Sequence, residues 1–159
     1  AWEKPLLRLF LALRLYHLPA NEALIRQLAY SVGFHEETAE AVVEDFLQSN
    51  PLPRRRSAWT TVTEAFWGYD GRSDTERVDV PALVIHGPAD GIVPVDAARG
   101  TARRLPNGVF CRMERTGHVA MIERPAAYNR LLRALLATIE GDRDLETTVR
   151  DRLGEHTSD

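Results

Sequence analysis

Residues 80–94 read Val80-Pro81-Ala82-Leu83-Val84-Ile85-His86-Gly87-Pro88-Ala89-Asp90-Gly91-Ile92-Val93-Pro94, and this stretch decides the fold. Ala82 to His86 is a short, largely apolar run rich in β-branched residues, bounded by Pro81 on one side and Gly87-Pro88 on the other. An apolar run without alternation suits a strand covered on both faces, the kind that parallel sheets contain. Asp90 then stands just past the C-terminal end of that strand, the edge at which ligands and catalytic groups gather in open α/β sheets.

On the C-terminal side the pattern repeats. Val95 to Leu105 has helical character, Pro106-Asn107-Gly108 turns the chain, and Val109 to Glu114 reads as a second strand closed by Thr116-Gly117-His118. A helix follows with Pro125 near its start, Tyr128, Leu131, Leu132, Leu135, Leu136 and Ile139 on one face, and Gly141 as its stop. From Asp142 onward the chain is strongly polar and forms one loose helix, Leu145 to Leu153, or frays; nothing in it suggests chemistry. Strand, helix, strand, helix is a βαβα unit, which a right-handed crossover places in a parallel sheet.

The N-terminal side reads as helices separated by punctuation. Pro5 opens the first, with Leu6, Leu9, Phe10 and Leu13 on one face, and Pro19 closes that region. Asn21 caps a second, carrying Leu24, Ile25, Leu28 and Ala29 and stopping at Gly33. The third has Glu36 and Glu37 in its first turn, an apolar face of Ala39, Val42, Val43, Phe46 and Leu47, and a break at Asn50-Pro51. Ser57 caps the fourth, which bears Trp59, Val62, Ala65 and Phe66 before Gly68; Asp70 to Asp79 is a polar linker.

Composition removes several function classes. The 159 residues carry 20 basic against 23 acidic side chains, a net charge of −3, so no basic excess marks a nucleic-acid partner. The richest apolar stretch, Leu6 to Tyr16, is interrupted by Arg8 and Arg14 and falls short of the roughly 20 residues a membrane span needs. Cys111 is the single cysteine, which excludes an intramolecular disulfide and a multi-cysteine metal cluster and suits a reducing, cytoplasmic setting. Nineteen arginines to one lysine, Lys4, suit a GC-rich bacterial source. The chain opens on Ala1-Trp2-Glu3 without a signal-peptide pattern, so it reads as a processed or truncated product.

The chemistry-bearing pair is Asp90 and His118. They lie 28 positions apart, each just past the end of a strand, and neighbouring parallel strands bring them side by side. A carboxylate that accepts from one ring nitrogen fixes the tautomer and leaves the other nitrogen free to act as a base. The remaining histidines suit structural roles: His86 at a strand end, His17 and His35 in turns, with no ligand-like spacing and therefore no metal. Arg54-Arg55-Arg56 reads as a solvated loop. A nucleotide-binding βαβ unit is disfavoured because no Gly-rich loop follows the first strand.

Gly87 to Pro94 fits G-x-x-D-x-x-V-P, and Gly117-His118 precedes Glu123-Arg124-Pro125. Together these resemble the C-terminal half of an α/β-hydrolase-fold protein, strongly from Val80 to Ile139 and weakly before. The resemblance implies an α/β fold in which residues 1–79 form a helical cap, 80–141 hold the last two parallel strands and helices of the core, and 142–159 are a polar extension. It implies Asp90 as the acid and His118 as the base of a Ser-His-Asp triad cleaving an ester, a thioester or an activated C–C bond, with no cofactor. Val119 departs from the aromatic residue that the C–C hydrolases often place after the histidine. Trp59, Phe66 and Trp67, with Val119, are candidates to line an apolar substrate pocket, although packing of the cap on the core explains the three aromatics as well.

One part is missing. A nucleophile elbow requires G-x-S-x-G between a strand and a helix, and none of Ser31, Ser49, Ser57, Ser73 or Ser158 has that context. Cys111 lies inside the second strand rather than at its end. The serine is therefore expected on an N-terminal part outside this chain, and the chain alone is expected to be inactive. Two strands with helices cannot cover both faces and both edges of a sheet, so the expected partner is a separate polypeptide carrying that N-terminal segment or a swapped homodimer. The rival reading is a non-catalytic binding or scaffold protein on the same fold.

Overall fold

The computed structural model describes residues 27, 30–50, 61, 65, 69–141 and 144–153. The helix expected near Pro5, most of the one capped by Asn21, and the side chains of Trp59, Phe66 and Trp67 lie outside these residues. In chain order the elements are α1 (Glu40–Ser49), α2 (Arg72–Thr75), β1 (Ala82–His86), α3 (Val95–Arg104), β2 (Gly108–Arg112), α4 (Ala120–Glu123), α5 (Pro125–Glu140) and α6 (Leu145–Leu153). Residues 30–33 are also helical.

The decisive run folds as the sequence indicates. β1 and β2 are parallel neighbours, with Leu83 opposite Val109, Ile85 opposite Cys111 and His86 opposite Arg112. Successive side chains of a strand point to opposite faces. Leu83, Ile85, Val109 and Cys111 accordingly join one core with Met113, Leu131 and Ala134, whereas Phe110 on the other face lies under the Arg99 guanidinium of α3, 5.0 Å from its ring centroid. The small Ala98 and Ala102 are the buried positions of α3 and let it lie close to the sheet. Arg103 and Arg104 in its last turn oppose the negative end of the helix dipole.

The core sits between the strands and the α5–α6 pair. Leu131 and Ala134 of α5 are fully buried, and Leu145 and Val149 of α6 are nearly so. Within the polar tail, Leu145–Leu153 therefore forms a helix: two apolar residues at i, i+4 spacing give it a face to bury, and Asp144 accepts from the Thr147 N–H at 3.0 Å, satisfying a first-turn donor. Pro125 occupies the first turn of α5 and Gly141 follows its end.

Three local differences from the sequence reading have physical causes. β2 ends at Arg112, two residues before Glu114, because the chain turns at Arg115, whose φ of 59° is left-handed. The third N-terminal helix starts at Glu40 rather than around Glu36. Glu37 and Thr38 instead form a turn after His35 and spend their side chains on distant partners. The linker from Asp70 to Asp79 contains α2, edged by exposed Arg72–Asp70 and Arg77–Asp74 ion pairs.

β1 was expected to be fully buried, yet only His86 in it is. Its second edge pairs with no strand among the described residues. Leu132, Leu136 and Ile139 of α5 are 38%, 55% and 62% exposed, so the apolar face of α5 extends beyond what the described residues cover. The molecule is an α/β fold with part of its sheet.

Candidate active site

Asp90 sits at the end of β1 in a turn that its own side chain builds. Its Oδ1 accepts the backbone N–H groups of Ile92 at 2.8 Å and Val93 at 2.9 Å, and its backbone N–H donates to Gly87 O at 3.1 Å. Aspartate favours such turns because its short carboxylate reaches backbone donors two and three residues ahead. With Oδ1 held by the backbone, Oδ2 is left to face the end of β2.

His118 comes from that end. Its Nδ1 lies 3.0 Å from Asp90 Oδ2. A carboxylate oxygen only accepts, so Nδ1 carries the proton and, in the neutral ring, Nε2 is bare. The Asp90 side chain is 5% exposed and that of His118 is 41% exposed, so the pair joins a buried carboxylate to an imidazole half open to solvent. The Asp90 hydrogen bond raises the proton affinity of His118 above the ordinary histidine value; burial works against this, and the charges of Asp90 and Glu123 support it. Burial pushes the Asp90 carboxyl up, but hydrogen bonds from His118, Val93 and Ile92 outweigh it and hold the group below the usual aspartate range.

The two loops touch through glycines. A Cβ at Gly87 would stand 2.3 Å from Gly117 O, and one at Gly117 would stand 2.5 Å from Gly33 O. Only residues without a side chain allow these backbones to approach so closely. Ala89 N–H donates to Thr116 O at 3.0 Å across the same seam.

Segment 32–38 closes the site from the helical side. Gly91 N–H donates to Val32 O at 2.8 Å and His118 N–H donates to Gly33 O at 2.7 Å, so one short stretch of backbone binds both loops. Glu123 completes the tie. Its Oε1 accepts from Gly117 N at 2.7 Å, and its Oε2 accepts from His35 N and Thr38 Oγ1, each at 2.7 Å. Arg115 and Arg124 also pair with Glu37 at the exposed rim.

Glu123 appears in the sequence pattern as a letter after the histidine; its work as a bridge could not be seen there, because its partners lie 85 and 88 positions away. Val119 packs against the Phe34, Val43 and Leu47 cluster. A cavity of about 280 Å³ opens beside His118, lined chiefly by Leu83, Ile85, Met121, Tyr128, Leu132 and Leu135. Cys111 is buried within β2, and burial pushes its thiol up to about 11, away from nucleophilic use. Among the described residues no group of three or more His, Cys, Asp or Glu could hold a metal ion, and no helix is long and apolar enough to cross a membrane.

The model of the TAP-like protein family matches residues 50–148. Over 70 residues the chain is 34% identical to "Putative carbamate hydrolase RutD" of Pseudomonas syringae pv. syringae (strain B728a), covering 44% of this chain and 27% of that protein. It is 38% identical over 61 residues to "Non-heme chloroperoxidase CPO-A1" of Kitasatospora aureofaciens, covering 37% of this chain and 22% of that one. The matched stretch thus spans about a quarter of the length of each of these two curated relatives. No solved structure matches it significantly.

Proposed function

Because the chain belongs to the TAP-like protein family of the α/β-hydrolase superfamily, we propose that it supplies the acid and the base of a Ser-His-Asp triad whose serine lies on polypeptide outside these 159 residues. The observation that carries this reading is the 3.0 Å contact between buried Asp90 Oδ2 and Nδ1 of the half-open His118 ring. In this reading His118 Nε2 takes the proton of the serine hydroxyl as the serine oxygen attacks a substrate carbonyl carbon. The same nitrogen returns that proton to the leaving group, then activates water to release the acyl enzyme. Asp90 holds the ring in the required tautomer and stabilises the imidazolium. No step invokes a cofactor.

The substrate class is a small, largely apolar ester, thioester or activated C–C compound. The aliphatic side chains of Leu83, Ile85 and Leu135 in the cavity beside His118 support an apolar part of the substrate, and a relative named as a carbamate hydrolase supports carbonyl chemistry in particular. The serine-bearing part would pair with the second edge of β1 and cover Leu132, Leu136 and Ile139; their exposure among the described residues supports an absent neighbour. A separate chain is preferred to a swapped homodimer, because no serine of this sequence has a nucleophile-elbow context.

Incubation of the purified protein, with whatever copurifies, with a fluorophosphonate tests the reading. We expect label on a companion polypeptide rather than on this chain. It should be lost in His118→Ala and slowed about 10⁴-fold in Asp90→Asn, in which the imidazole tautomer is reversed. A folded assembly that takes no label points instead to the non-catalytic binding protein.

A further inference from the structure

His86 contributes a second imidazole to the neighbourhood of Asp90. It ends β1, is 6% exposed, and is hydrogen-bonded through its backbone O to Met113 N at 2.9 Å. Its Nε2 lies 3.0 Å from Val93 O and 3.5 Å from Asp90 Oδ2, the oxygen that His118 uses. Its Nδ1 is buried without a hydrogen-bond partner among the described residues. A carbonyl only accepts, so Nε2 carries a proton and donates to Val93 O.

We propose that His86 is a positioning residue for the Asp90–His118 pair, its Nε2–H pinning the Val93 carbonyl to the end of β1 and thereby fixing the turn that aims the Asp90 carboxylate at His118. The assignment rests on the reading of Asp90 and His118 as acid and base.

The geometry explains why the donor matters more than the volume. Val93 is bonded on both sides of its α-carbon, its N–H to Asp90 Oδ1 and its C=O to His86 Nε2, so the imidazole closes the loop that the carboxylate opens. Without it the Val93 carbonyl is released and the turn loses its far anchor. The carboxylate can then rotate about its Cβ–Cγ bond, and its hold on His118 Nδ1 weakens. The charged groups facing His118 are Asp90 at contact and Glu123 at longer range, and His86 Nε2 lies 3.5 Å from the same Asp90 oxygen.

The test is an NMR titration of the His118 ring in the full chain. In His86→Leu, which fills the space without a donor, the His118 midpoint falls by about half a pH unit as its partner loosens. In His86→Gln, whose amide nitrogen can reach the Val93 carbonyl, the midpoint stays within about 0.2 of the original. An unchanged or raised midpoint in His86→Leu overturns the proposal, as does a Gln variant shifted as far as the Leu variant. Should His86→Leu fail to fold, ¹⁵N spectra of the unaltered chain decide: a protonated Nε2 on His86 is required, and a bare Nε2 overturns it. Since the titration needs no nucleophile, a missing phosphonate label alongside a shifted His118 removes the hydrolase reading and leaves the brace standing.

Discussion

The loops that present Asp90 and His118 sit side by side at one sheet edge, yet they are built by opposite means. The Asp90 loop is bonded largely within itself: Gly87 O, Asp90 Oδ1, the N–H groups of Ile92 and Val93, and the His86 ring all belong to residues 86–93. The His118 loop has one internal brace, from Thr116 Oγ1 to Met113 O at 2.6 Å, and a left-handed Arg115. From outside it is held by the Ala89 N–H on Thr116 O, by Gly33 O and by Glu123, a carboxylate that also holds His35 and Thr38. The carboxylate is thus placed by local turn chemistry, whereas the imidazole depends on the helical segment being docked.

That contrast can be broken most forcefully at Gly117. An alanine Cβ there would press on Gly33 O and on the Phe34 backbone at 2.9 Å, and backbone yields poorly. We expect Gly117→Ala to destabilise the chain by about 3 kcal/mol in denaturant unfolding. Wild-type stability in this variant would mean that segment 33–34 does not abut the histidine loop.

Removing the bridge has a smaller effect. Glu123→Gln retains the shape but leaves an amide NH₂ facing at least one of the three donors, a loss of about 2 kcal/mol for a hydrogen bond to a charged group. Hydrogen exchange should show faster opening at Gly117 and His35 while Ile92 and Val93 stay protected. Equal loosening of both loops would erase the distinction between them.

Titration sharpens the comparison with the least effect. His118 has a raised folded value, so its contribution to stability is complete below its ordinary 6.5 and is lost as pH rises through the folded value above that. Asp90 has a lowered one, so its contribution is present above 3.8 and is lost as pH falls through the folded value below that. The stability difference between the unaltered chain and His118→Ala should therefore be widest between about pH 4 and 6.5. It should stay below about 1 kcal/mol, because the His118 ring is 41% exposed and its charge is screened. A difference that does not change across the range would argue against the pairing in solution.

Much of this architecture was legible because it rests on short-range pattern. Proline and glycine bracket Ala82–His86, so that strand could be read to the residue, and Pro125 and Gly141 did the same for α5. Asp90 and His118 were found because strand ends in a parallel pair are neighbours, a rule that needs no coordinates. The start of α1 departs from local preference because Glu36 and Glu37 are good first-turn residues, while Glu37 and Thr38 are claimed by Arg115 and Glu123 from far along the chain. The tail was ambiguous for a related reason: its polar composition hides two apolar residues whose value depends on α5 being there to receive them.

Sequence alone supplied β1, α3, β2 and α5 in their order, the parallel pairing of β1 and β2, and the candidate carboxylate and imidazole at their ends, since turn residues and strand patterning act over a few positions; the short helices α2 and α4 were beyond it. The docking of distant segments settled that Val32 and Gly33 bind both loops and that Glu123 joins the histidine loop to the helical segment. Those contacts depend on backbone approach and hydrogen-bond direction between segments up to about ninety residues apart, where no local preference of the chain carries information.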